Sequence, residues 1–394
     1  MKWASAAAAD ARLEAAVINA ADAVSIQLDG RQPDLVVVFV SSHHAADYER
    51  VPALVSRHFP GGCLIGCSAG GVIGGGREIE QRPGVAITAA CLPDVTLTGF
   101  HLESDETLTA AAATGDWEHL LRVSAAPRPH FVLLPDPFSF DADNFVRSLD
   151  GAYPNSQKVG GVASGGRQPQ SNALFLGATM HRAGLVGLAL SGDVDIDTIV
   201  AQGCRPVGEP MFITRCQQHI LWELDGRRPL EVLQELYERL NPRDQELARH
   251  SLFLGIVMKE DRVEYGRGDF LIRNIIGSDA TSGAVAVGAT LQESSVVQFH
   301  LRDAQTSIAD LDELLGRYAA QNRTRPEGSL LFSCLGRGVN LYGRPDQDTD
   351  LFRRHLGDVP LGGFFCNGEI GPVHGATFLH GYTSSFGLFR TRRG

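Results

Sequence analysis

Gly363-Phe364-Phe365-Cys366-Asn367-Gly368-Glu369 closes a short apolar run near the C-terminus, and two other stretches of the chain read the same way. Gly66-Cys67-Ser68-Ala69-Gly70-Gly71-Val72 and Gly161-Val162-Ala163-Ser164-Gly165-Gly166-Arg167 align with it without gaps, with glycine first and sixth in all three. Each is preceded by the same sentence. A β-rich run (35–40, 131–134, 329–333) leads to a helical stretch (46–58, 142–149, 349–356) and then to a short strand ending in glycine. The run Leu35-Val36-Val37-Val38-Phe39-Val40 has no polar alternation, which fits a strand covered on both faces. A β-α-β-glycine-turn unit is therefore expected at least three times.

Apolar, β-rich stretches follow the glycine turns at 85–100, 173–190 and 376–389. They are long enough for hairpins, so the sheets are expected to be mixed. A related stretch, 283–301, leads into a helix expected over 303–318. The region 221–242 holds a helix at 230–240 and no glycine turn. The expected fold is α/β, with two pseudo-symmetric domains of repeated β-α-β-glycine-turn units and mixed sheets. The boundary falls near 220, giving domains 1–220 and 221–394.

With 394 residues the chain exceeds what one hydrophobic core usually covers. A formal charge of −11 and the lack of a Lys/Arg cluster argue against nucleic acid or an anionic membrane as partner. No run of eighteen apolar residues occurs, and Asp10, Arg12 and Glu14 interrupt any signal-like N-terminus. A cytoplasmic protein is expected. The seven cysteines are scattered and odd in number, so reduced thiols are expected rather than a disulfide framework. Cys63 and Cys67 have no second pair to complete a zinc site, and His43-His44 lack a third ligand. Neither a metal nor a cofactor is expected, and the two histidines read as surface or capping residues.

At the level of motifs the chain resembles the FIST proteins. The N-terminal resemblance lies in the strand 34–40 and Gly66-Cys67-Ser68-Ala69-Gly70-Gly71. The C-terminal one lies in Arg273-Asn274-Ile275-Ile276-Gly277-Ser278-Asp279, in Cys334-Leu335-Gly336-Arg337-Gly338 and in the stretch from Gly363 to Gly371. The first turn departs from the family pattern: it reads Gly71-Val72-Ile73 where the family often has Gly-Glu-Ile, and only the C-terminal copy keeps the acid, as Glu369. The resemblance implies a sensory protein that binds a small ligand, an amino acid or a similar polar metabolite. Output would then pass to a protein partner, since no attached signalling module is recognisable.

Arg273 and Glu369 are charges in apolar, glycine-flanked stretches, where a charge is costly unless paired. Either they pair structurally or they face a cavity. Arg337 and Asn340 follow the strand 329–333, as residues lining a crevice at strand ends do. Arg273, Arg337, Asn340, Cys366, Asn367, Gly368 and Glu369 are thus the candidate ligand site. A guanidinium would take a carboxylate, and Glu369 an ammonium. Two other readings stand beside this one. The first is an enzyme with Cys366 or Ser68 as nucleophile; Gly66-Cys67-Ser68-Ala69-Gly70 matches G-x-S-x-G, but the glycine-rich 72–76 that follows is a poor helix start. The second is a ligand-free interaction scaffold. No catalytic constellation of nucleophile, base and orienting group can be traced.

Overall fold

The computed structural model describes residues 1–104, 106–259, 264–322 and 324–392. Among them the chain forms a mixed α/β structure with four six-stranded sheets, one of which closes into a barrel. By internal contacts it divides into two units. The first holds residues 1–200, 312–379 and 383–394; the second holds 201–311 and 380–382. The chain thus leaves the first unit once, builds the second, and returns. The two units differ in architecture, three open sheets in one and a barrel in the other. The expectation of two pseudo-symmetric domains is corrected accordingly. It rested on the repeated glycine-turn units, and the three turns all fall in the first unit. The stretch 283–301 supplies barrel strands, Val285–Val287 and Val296–Arg302.

The three open sheets share one strand order. In the first it is Lys2–Ala8, Val85–Cys91, Leu35–Ser41, Cys63–Ala69, Leu174–Leu176 and Thr179–His181. The second runs Val95–Leu102, Leu185–Gly192, His130–Pro135, Lys158–Gly161, Glu369–Val373 and Ala376–His380. The third runs Asp195–Ala201, Ser384–Arg390, Gly328–Cys334, Leu361–Cys366, Gly71–Gly74 and Arg77–Glu80. The two central strands are parallel in each case, because a helix carries the chain from one to the other. The strand beyond the second parallel strand is antiparallel to it and belongs to a hairpin from elsewhere in the chain. The hairpin after the first glycine turn enters the third sheet, the one after the second turn enters the first, and the one after the third turn enters the second.

Close approach at the centre of each parallel pair requires glycine. Gly66 is level with Val38, Gly160 with Leu133 and Gly363 with Leu331. A Cβ there would lie 1.9, 2.0 and 1.9 Å from the partner's carbonyl oxygen. No other residue fits without backbone movement. In the second sheet this glycine is Gly160, one residue earlier than the ungapped sequence alignment sets it.

The three sheets bury a common apolar core that includes Phe39, Leu134, Leu188, Phe332 and Phe364. Phe364 stacks on Phe39 at 4.5 Å between ring centroids and meets Phe332 edge-on at 5.9 Å. Each such ring stabilises by roughly 1.5–3 kcal/mol through burial. Helices Leu13–Gln27 and Val51–His58 cover the opposite face of the first sheet. Ala142–Ala152 covers the second. Gln347–Leu356 lies on the third, where Phe352 stacks on Phe386 at 5.7 Å. In the barrel unit, alternate residues of Val296–Arg302 split between faces: Val297, Phe299 and Leu301 enter the barrel core, against Leu221, Leu254 and Val287.

Candidate functional site

The strand Gly328–Cys334 ends level with Leu361–Cys366, Cys334 opposite Cys366. The backbone turns tightly beyond that pair: Leu335 N–H donates to Cys366 O at 3.0 Å, and Arg337 N–H to Cys334 O at 2.8 Å. The glycine turns meet here. Asn367 N–H donates to Val162 O at 3.0 Å and Val162 N–H to Gly368 O at 2.9 Å. Gly70 N–H donates to Ser164 Oγ at 2.9 Å, and that hydroxyl donates to Phe365 O at 2.5 Å. Arg337, Asn340, Cys366, Asn367, Gly368 and Glu369 therefore gather at one end of this strand pair. Arg273 lies half-buried on the barrel strand Phe270–Ser278, in the second unit.

Arg337 is fully buried. Its Nε donates to Asp348 Oδ2 at 2.8 Å and its Nη2 to Asp348 Oδ1 at 3.1 Å, a side-on bidentate pair. Asp348, equally buried, also accepts from Ser384 Oγ at 2.8 Å and Tyr342 Oη at 2.9 Å. Burial opposes both charges, but each charge more than compensates the other. Arg337 is held above its ordinary pKa and Asp348 below. The third nitrogen of the guanidinium, Nη1, is buried with no hydrogen-bond partner among the described residues.

Two further unsatisfied atoms surround this pair. Glu78, from the hairpin added to the third sheet, is buried; its Oε1 accepts from Thr349 N–H at 3.0 Å, and its Oε2 has no partner. Thr349 Oγ1 is also buried without one. Burial first, and then the Asp348 charge, push the Glu78 carboxyl up to about 8. Among the described residues, a guanidinium donor, a carboxyl oxygen and a hydroxyl thus lack partners around one buried ion pair. Glu78, Asp348 and Tyr342 were not candidates from the sequence. The signals were a carboxylate between apolar and glycine residues (Gly76-Arg77-Glu78-Ile79) and the acidic run Asp346-Gln347-Asp348 that opens a helix.

Glu369 is buried and accepts from Thr383 and Cys366. Thr383 N–H and Oγ1 donate to its Oε2 at 3.0 and 2.7 Å, and Cys366 Sγ donates to its Oε1 at 3.4 Å. Burial and then the adjacent Glu369 raise the Cys366 thiol well above its ordinary pKa, so it is held protonated and weakly nucleophilic. Asn340 and Asn367 are exposed; the Nδ2 of each reaches a backbone carbonyl, of Leu335 at 3.3 Å and of Ala163 at 3.4 Å.

Ser68 Oγ donates to Asn172 Oδ1 at 3.1 Å and accepts from Ala173 N–H at 2.9 Å; Asn172 Nδ2 donates to Asp136 Oδ1 at 2.9 Å. An amide stands where a general base would be needed. The chain runs on from Ser68 into the strand Gly71–Gly74, so no helix N-terminus faces the hydroxyl. None of the seven cysteines is in a disulfide among the described residues. His43 is exposed, but His44 is buried, against the expectation of a surface pair. No group of three or more metal-ligating side chains occurs among the described residues. No helix among them is long and apolar enough to cross a membrane.

Comparison with known proteins accords with this two-part chain. The FIST N domain matches residues 34–227 and the FIST C domain residues 229–372. The chain belongs to the FIST family. It is similar to uncharacterized proteins of Mycobacterium tuberculosis (39% identical, covering 92% of this chain and 93% of the relative) and Mycobacterium bovis (36% identical, 95% of each). A 104-residue stretch is 33% identical to human F-box only protein 22, covering 25% of each chain. Among solved structures, a cyanuric acid hydrolase aligns over 100% of both chains at a TM-score of 0.30 and 10% identity, a likeness too low to carry an argument.

Proposed function

We propose that this FIST protein is a small-ligand-binding sensory protein. Its ligand is a small polar metabolite of the amino-acid type, bound where Arg337, Asn340, Cys366, Asn367, Gly368 and Glu369 gather. The family's sensory role supports the class of function. One observation carries the location: Arg337 is wholly buried, yet its Nη1 has no partner among the described residues. A buried donor left unmade costs about 1–3 kcal/mol, and more on a charged group. A ligand carboxylate would satisfy it, with Glu78 beside it to receive an ammonium or hydroxyl. Arg273, in the other unit, is carried by the family motif alone. We read the three open sheets as copies of one unit that exchange hairpins, with the site at the end of the third. Signal output would go to a protein partner.

A thermal-shift screen over the amino acids and small polar metabolites tests this, with native mass spectrometry of the freshly purified protein for a retained small molecule. One ligand class should raise the melting temperature. The exposed positions make clean probes: Asn340→Ala and Asn367→Ala should weaken that response while leaving the ligand-free melting temperature unchanged. A screen with no response and no retained mass would remove the proposal.

A further inference from the structure

A second buried guanidinium, in the barrel unit, lacks even an ion-pair partner among the described residues. Arg302 ends the strand Val296–Arg302 on the face opposite the barrel core, in a row with Gln298 and His300. Its side chain is nearly buried, at 7% exposure. Both Nε and Nη2 are buried and without a hydrogen-bond partner among the described residues. These two nitrogens form the edge of the guanidinium that grips a carboxylate or phosphate through parallel bonds. In Arg337 that same edge is filled by Asp348.

The plane of Arg302 is nonetheless fixed. Its guanidinium carbon sits 4.9 Å from the centroid of the Tyr382 ring. That ring packs on Phe253 at 4.3 Å, and its hydroxyl donates to Asn274 Oδ1. Tyr382 takes a left-handed backbone conformation, φ 67°, which costs energy for a non-glycine residue. The adjacent carboxylate is not available to the fork. Asp303 accepts from Thr306 N–H at 2.8 Å and Thr306 Oγ1 at 3.1 Å, and pairs with Arg205 at 3.5 Å. A buried charge held rigidly with its bidentate edge empty is strongly unfavourable unless a counter-ion occupies it.

We infer that the Nε/Nη2 edge of Arg302, stacked on Tyr382, is a binding site for an oxyanion, the carboxylate or phosphate group of a small ligand. Its residues all belong to the barrel unit. It is polar on one edge and aromatic on one face, which suits an anion rather than an apolar molecule.

The test is a titration of the full chain with inorganic phosphate and, separately, with sodium acetate, each against sodium chloride at equal ionic strength, followed by melting temperature and calorimetry. Wild type should show a saturable rise with at least one of the two, and the one that acts distinguishes phosphate from carboxylate. Arg302→Lys keeps the charge but loses the fork and should bind about tenfold more weakly or worse. Tyr382→Leu, which leaves the guanidinium but removes its support, should weaken binding several-fold and serves if the lysine variant does not fold. Ile26→Ala, at a 78% exposed position that belongs to neither proposed site, should respond as wild type. No difference from chloride with either anion overturns the site, as does an undiminished response in Arg302→Lys or, where that variant does not fold, in Tyr382→Leu.

Discussion

Arg337 and Asp348 meet through two parallel N–H···O bonds, 2.8 and 3.1 Å, with neither side chain exposed to solvent beyond 3%. Such a pair is asymmetric in its energetics. Together the charges roughly offset their desolvation, but either alone is a buried uncompensated ion. Arg337→Met or Asp348→Asn should each destabilise the first unit by about 3–5 kcal/mol in urea unfolding. The double variant Arg337→Met/Asp348→Leu should lose markedly less than the two single losses added. Additivity of the two would show that the residues do not act as a pair.

Glu78 gives the protein a pH dependence on the alkaline side. Its carboxyl is raised from 4.5 to about 8, by burial first and the Asp348 charge second. The folded state therefore prefers the neutral acid. Its contribution is fully present below the unfolded value and is lost as pH rises through about 8. Between pH 7 and 9 the urea midpoint should fall, by on the order of 1–3 kcal/mol in stability. Glu78→Gln should flatten that slope. An unchanged slope in the variant would assign it to another group.

His300 acts in the opposite direction. Burial lowers its pKa from 6.5 to about 4, against a smaller upward pull from the Gln298 carbonyl. The native state keeps the ring neutral, so its contribution is present above 6.5 and is lost as pH falls toward 4. The ring packs against Gly255, where a Cβ would sit 2.5 Å from His300 Cε1. His300→Gln should reduce the loss of stability between pH 6.5 and 4, read by chemical denaturation at several pH values. His130, also lowered to about 4 by burial, should leave a residual slope.

Two glycines nine residues apart should respond to alanine with opposite signs. Gly160→Ala places a methyl 2.0 Å from Leu133 O and should destabilise by about 1–3 kcal/mol or more. Gly151 lies in the helix Ala142–Ala152 with nothing within 4 Å of a Cβ, so Gly151→Ala should stabilise by roughly 0.5–1 kcal/mol. Equal effects from the two would contradict the packing described at the parallel pair.

Local chemistry, read directly from the sequence, determined the central strands, the helices that join them and the glycine-ended turns. An uninterrupted apolar run such as 35–40 can only be a strand covered on both faces, and all of Leu35–Ser41 is buried. The family was legible too, because its motifs are short and contiguous. Lys2–Ala8 was not: it is rich in alanine and serine, and it is a strand only because Val85–Cys91 offers a sheet edge in register. The barrel was not legible either, since it is made by pairing short strands that alternate weakly and lie far apart in sequence. The candidate site divided along the same line. Arg337 stands out by its setting, but its partner Asp348, the neighbouring Glu78 from a hairpin more than 250 residues earlier, and the empty edge of Arg302 are products of tertiary structure alone. Whether a charge is paired depends on what the fold brings within about 3 Å of it, and no local pattern encodes that distance.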